Sequence, residues 1–314
     1  MAYVETGTAN FSLLVQDLVQ AKAEQELRAR LVHANPDAYV HGRFVKGTNQ
    51  IRFARYQDLG ANTTELEEGF APTSQALNIS SDAFSAKQYG QTLSITDLAQ
   101  LDSPHDLISV ASDRLARQAA ETMDLVVRDV LAEGTNVKYA GAAAARGDLL
   151  RSDKITGELV KKTVAALKAA NVPTFADGTY RCIIHPFQEY DLISDASANG
   201  WLEANKYVDN TPLISGEIGK FAGVRFLTSS NAKVFANAAD DGSDVFSAHF
   251  FGPDSYTVGD SQTLQAYFTA PGGDHADPLA QMAIAGWKMR FGAKLLDLAG
   301  AKYLRLETGA TLSA

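Results

Sequence analysis

Apolar and small residues recur at helical spacing through the middle of the chain, at Ile108, Ala111, Leu115, Ala119, Met123, Val126 and Val130. Charges at Asp113, Arg114, Arg117, Glu121, Asp124 and Arg128 take most of the remaining surface. Ser103 offers an N-terminal cap, and Pro104 suits the first helical position. Asp106 sets a carboxylate near the free N–H groups and the positive dipole end. Gly134 supplies the stop. The pattern predicts one helix over 104–133, roughly 45 Å long at 1.5 Å per residue. A compact domain of ordinary size needs no rod of that length, so the helix reads as a spine that carries separate substructures. A second amphipathic stretch, with Leu14, Leu18, Ala21, Leu27 and Leu31 on or near one face, predicts a helix over 11–32, and Pro36 ends it. Residues 1–10 are small and polar and read as a loose arm.

A period of two marks the strands. Residues 50–56 alternate, with Ile51 and Phe53 on one side and Arg52 on the other; residues 75–81 alternate again, with Leu77 and Ile79 inward. A polar stretch of about twenty residues separates them, far more than the usual hairpin loop. It holds Gly60, Gly69 and Pro72 and too few apolar residues to pack by itself. A long two-stranded arm is marginal alone in water, so an ordered arm here implies cover from outside the subunit. The arm is polarised in charge: Arg43, Lys46, Arg52 and Arg55 lie near its base and Glu65, Glu67 and Glu68 near its tip. That layout can pair the tip of one copy with the base of another; the alternative is a mobile surface loop. Further strands are predicted over 87–97, 180–184, 223–228, 245–251, 264–269 and 303–306, and helices over 156–170 and 186–193. Residues 141–147 are low in complexity and read as flexible, 200–219 as loop-rich, and 281–296 as apolar with few charges.

Composition narrows the class. The 314 residues suffice for one large domain or two smaller ones, and 46% hydrophobic with 21% charged residues is a globular balance. A net charge of −9 argues against a wide nucleic-acid grip, though not against an acidic protein that surrounds nucleic acid without gripping it. The single cysteine, Cys182, excludes an internal disulfide and suits a reducing compartment. The first residues lack the basic and apolar regions of a signal peptide, and no apolar run is long enough to span a membrane. A soluble chain made in the cytoplasm is expected.

The chemistry offers little. Cys182 and His185 stand three apart, which on a strand points them to opposite faces and away from a nucleophile–base pair. Asp102, His105 and Asp106 could be ligands, but their place at a helix start accounts for them as caps. Turn chemistry accounts for Asp274 and Asp277 around His275. Asp240, Asp241 and Asp244 lack the frame of a calcium loop and read as a solvated turn. The glycine-rich run 216–223 is no P-loop, because Phe221 follows Lys220 and a strand, not a helix, comes next. No catalytic residue, cofactor or metal is assigned.

Four stretches carry a resemblance. Asp277-Pro-Leu-Ala-Gln-Met-Ala-Ile-Ala-Gly-Trp287-Lys and the residues on to Asp297 resemble the C-terminal signature of the phage-N-four-type branch of tailed-phage major capsid proteins. Tyr180-Arg-Cys-Ile-Ile-His-Pro186 and its continuation to Leu192 are similar to that family's strand-then-helix motif. Residues 216–231, Gly-Glu-Ile-Gly-Lys-Phe-Ala-Gly-Val-Arg-Phe-Leu-Thr-Ser-Ser-Asn, resemble its turn and strand. Residues 87–98 before a long helix also fit, and all four occur in order within 75–306.

The resemblance implies an α+β Hong Kong phage-type capsid fold. It divides the chain into an N-terminal arm and helix (1–41), an extended hairpin (42–83) and a peripheral domain (84–174) with its spine at 104–133. An axial domain (175–270) and a segment returning to the peripheral domain (271–314) follow. It implies a major capsid protein that assembles as hexamers and pentamers into an icosahedral shell around double-stranded DNA. Scaffolding, portal and decoration proteins are the other implied partners, without sequence-specific DNA binding or a membrane. Some relatives crosslink a hairpin lysine to a neighbour's asparagine; Lys46, the one lysine in 42–83, lies near the base, and that chemistry is not carried over. The alternatives are the shell of a cargo-enclosing nanocompartment and, of another class, a cytoplasmic α/β hydrolase using Cys182 or the Asp-rich loops.

Overall fold

The computed structural model describes residues 31–34, 40–41, 50–56, 59–65, 68–69, 74–104, 106–195, 217–271, 279–296 and 302–313. The helix expected over 11–32 lies outside the described residues apart from its last two positions.

The strands are β1 (Val40–His41), β2 (Gln50–Tyr56), β3 (Ile79–Ser85), β4 (Lys87–Thr96), β5 (Val137–Tyr139), β6 (Tyr180–Ile184), β7 (Glu217–Phe221), β8 (Val224–Thr228), β9 (Val234–Phe235), β10 (Val245–Phe251), β11 (Tyr256–Thr269), β12 (Met282–Leu295) and β13 (Tyr303–Thr308). The helices are α1 (Asp97–Asp102), α2 (Leu107–Ala132), α3 (Gly157–Ala169) and α4 (Pro186–Ile193). Among the described residues they form a four-stranded sheet, β1-β11-β12-β4, and a seven-stranded sheet, β5-β13-β10-β6-β8-β7 with β9 beside β10. A separate ribbon consists of β2 and β3.

The spine, α2, lies on the four-stranded sheet. Leu115, Ala116, Ala119, Val127 and Leu131 share a core with Ala285, Trp287, Met289 and Phe291 of β12. Those β12 residues alternate along the strand, which puts one face under the helix. A second core joins Val160, Val164 and Leu167 of α3 to Cys182, Phe226, Phe250 and Leu306 on the other sheet. Phe251, Ile183 and Tyr303 belong to the spine's core, so the two layers are fused and not merely tethered.

Each sheet gathers distant segments. Tyr256–Thr269, assigned by sequence to 175–270, pairs with β12 in the four-stranded sheet. Tyr303–Thr308, from the 271–314 segment, pairs with β10 and β5 in the other.

The spine starts later than the pattern predicts. Ser103 is extended and closes α1, its N–H bonding Ala99 O at 3.1 Å, while Asp106 caps α2 by accepting from Ile108 N at 3.1 Å. The cause is Pro104, which disfavours a helical residue before it. The short helix α1 ends before the expected span, a break follows it, and the spine proper has 26 residues. Gly134 follows the C-cap residue Glu133, at a point where a Cβ would lie 2.5 Å from Tyr303 Cε1.

Three other expectations change. The second arm strand runs Ile79–Ser85, not 75–81, because Gln50 pairs with Ser85 and Tyr56 with Ile79. Leu77 and Ile79 are 55% and 62% exposed; a lone ribbon has no inside. Residues 141–147 are held in place: Arg146 clamps the buried Glu307 with bonds of 2.8 and 2.7 Å and stacks on Phe235. The loop read over 200–219 gives way at Glu217 to strand β7, which turns through Ala222 and Gly223 into β8.

Candidate intersubunit surfaces

The ribbon is widely exposed at its described positions. Its described positions at Gln50, Arg52, Tyr56, 59–65 and 74–79 are all exposed. Tyr56, Leu59, Leu77 and Ile79 present large apolar side chains to solvent. Contact with the body is at the base: Phe84 lies against Gly292, and Lys294 Nζ reaches Ala83 O at 3.4 Å. Of the sequence-nominated contact residues, Arg52 and Arg55 lie on β2, and Glu65 and Glu68 lie beyond the paired strands, both exposed. Arg43, Lys46 and Glu67 fall outside the described residues. Arg52 and Arg55 stand within the paired strands of the ribbon, and Glu65 and Glu68 stand in the segment that joins them.

A second exposed apolar group was not nominated. Leu98 and Leu101 of α1 are 65% and 80% exposed, and α1 buries no residue. Leu279 and Met282 adjoin them, since Asp97 N bonds Gln281 O and Met282 pairs with Thr96. The available signal was the leucine pair three apart in a short stretch bounded by Thr96 and Pro104.

Behind the spine lies a buried polar cluster. Asp124 Oδ1 accepts from the backbone N–H groups of Val32, His33 and Ala34 at 2.9, 2.7 and 3.3 Å, and Oδ2 meets His33 Nδ1 at 2.8 Å. Tyr256 donates to His33 O at 2.6 Å. The helical charge pattern puts Asp124 among the surface charges; in the structure it is 1% exposed. Its partner is 91 residues away, a distance no helical periodicity records. Burial alone would raise its pKa, but the His33 ring and the backbone donors outweigh that and hold the carboxyl below its usual range. His249, beside Tyr303, is pushed well below the ordinary imidazole value by burial and by His33, Arg305 and Arg128.

The candidate chemical groups resolve as structure. Cys182 is fully buried and its thiol is pushed up by burial, while His185 caps α4 by accepting from Phe187 N at 3.2 Å. Asp241 accepts from Ser243 Oγ, Ser243 N and Arg151 N, which lower its pKa to about 2. Asp244 accepts from Asn237 N. His105, Asp274, His275 and Asp277 lie outside the described residues. Among the described residues, no cluster of three His, Cys, Asp or Glu side chains is placed to hold a metal, and no helix is long and apolar enough to cross a membrane.

The family of phage capsid proteins matches residues 81–304, most of the chain. This chain belongs to that family. Solved structures agree on the fold. The capsid of Ralstonia phage GP4 superposes with a TM-score of 0.68 at 17% identity, covering 88% of this chain and 86% of that one. The capsid of cyanophage Pam1 gives 0.66 at 15% identity, over 85% and 86%. The head of Helicobacter pylori bacteriophage KHP40 gives 0.61 at 13%, over 85% of each. No curated protein matches the sequence. The α+β fold is therefore of the Hong Kong phage type, and the chain is a major capsid protein, a structural component of the tailed-phage virion. Neither the nanocompartment nor the hydrolase reading is favoured by these matches.

Proposed function

We propose that this capsid protein assembles in the host cytoplasm as hexamers and pentamers, closing an icosahedral shell around packaged double-stranded DNA. Scaffolding, portal and decoration proteins complete the set of partners. In this reading residues 1–41 and 42–83 are the arms, 84–174 and 271–314 the bulk of the peripheral part and 175–270 the bulk of the axial part, with β11 and β13 crossing between the two sheets. The observation that carries it is the β2–β3 ribbon, held to the body at its base by Phe84, with Tyr56 and Ile79 and the adjoining Leu59 and Leu77 in water. A neighbour that covers the ribbon offsets the entropy of ordering it, and many such contacts in a closed shell reinforce one another. The overall charge of −9 suits DNA that is confined but not adsorbed.

Charge directs the arm: Glu65, Glu67 and Glu68 at one copy's tip meet Arg43, Lys46, Arg52 and Arg55 at another's base. The triple reversal E65K/E67K/E68K is expected to leave the subunit folded by circular dichroism and to reduce shell yield sharply in negative-stain micrographs. Normal shells from that variant would refute the arm pairing. The wild-type chain is expected to give shells, tubes or ring-shaped capsomers; an activity lost on Cys182→Ala would instead reopen the hydrolase reading.

A further inference from the structure

Strand β4 is an edge. It pairs with β12 over its full length, from Lys87↔Phe291 to Thr96↔Met282, and no described strand lies on its other side. An unpaired edge of ten residues is a template for another strand, and proteins usually blunt such edges with bulges, prolines or charges. This one has no register shift and no proline, and residues 88–96 carry no charge. Eight of its ten residues are exposed, including Leu93 at 41%.

The strand is also self-complementary. Laid antiparallel on its own copy with Thr92 opposite Thr92, it sets Tyr89 against Ile95, an aromatic and β-branched pair. In the same register Gln88 faces Thr96, and Lys87 comes beside Asp97, the first residue of α1. Both end charges are exposed. Slipping the register by one residue loses the Tyr89–Ile95 and Lys87–Asp97 matches together. We propose that β4 pairs with β4 of a second copy across a two-fold axis, joining two four-stranded sheets edge to edge. This contact is isologous, each copy giving and receiving the same surface. It rests on the reading that the chain assembles with itself, and it is separate from the arm contact.

Two experiments test it. In T92C, the new thiol meets its symmetry mate, while Cys182 is buried and takes no part. Mild oxidation of assembled T92C is expected to give a covalent dimer on a non-reducing gel, and Q88C, facing Thr96, is expected to stay monomeric. Formed shells without the T92C dimer, or equal crosslinking by Q88C, overturn the pairing and leave the assembly reading standing. Absence of any assembly by the wild type overturns the assembly reading instead, and the T92C dimer in concentrated solution then decides the pairing alone.

The second is a charge exchange. K87D and D97K are each expected to weaken the contact about fivefold to tenfold, and K87D/D97K to restore it. Within one chain the two sites are about 34 Å apart along the strand, so restoration comes only from contact between copies. A double variant as weak as the singles overturns the proposal, including in the case where T92C fails to assemble.

Discussion

Asp124 shows how much can depend on one side chain. Four donors from residues 32–34 converge on its carboxylate inside the core. Asp124→Ala leaves those donors buried without an acceptor, and a loss on the order of 3 kcal/mol is expected in denaturant unfolding of the unassembled chain. His249 sets a pH dependence. Its folded pKa is depressed below the ordinary 6.5, so the unfolded chain binds the proton more readily. Its contribution to stability is complete above pH 6.5 and shrinks as pH falls below that value. Melting temperatures measured from pH 8 down to pH 5 are expected to drop below 6.5, and His249→Phe is expected to flatten that drop. A slope unchanged in the variant would assign it to other groups.

At the scale of elements, the end signals of α2 are specific enough to test. Asp106→Ala removes the side-chain acceptor for Ile108 N and is expected to cost about 1 kcal/mol, read as a lower melting temperature. Gly134→Ala meets the Tyr303 ring and is expected to destabilise by about 1–3 kcal/mol, with the partial rescue from Tyr303→Leu reporting the shared cause. Strand positions with a clean period of two were legible: β2, β6 and β10 fall where alternation or a short apolar run placed them. Strands β1, β5 and β9, of two or three residues, were not, because so short a segment has no period and exists only through its partner.

At the scale of the whole molecule, a long helix and an oversized hairpin already spoke against an ordinary compact enzyme, and the four ordered motifs pointed to the capsid family that the match over 81–304 shows. The exposed ribbon was legible because its composition cannot build a core. The exposed leucines of α1 and the bare edge of β4 were not, since an apolar residue on a short element reads as buried until its surroundings are known. Local chemistry, through spacing, proline and glycine placement and charge, determined most of the longer helices and strands and that the arm cannot build a core of its own. Only the tertiary structure decided that Ser103 closes one helix while Asp106 opens the next, that Asp124 and Glu307 are buried, and which strand edge is left open. Those outcomes depend on partners brought together from 91 and 161 residues away, and such contacts leave no periodic trace along the chain.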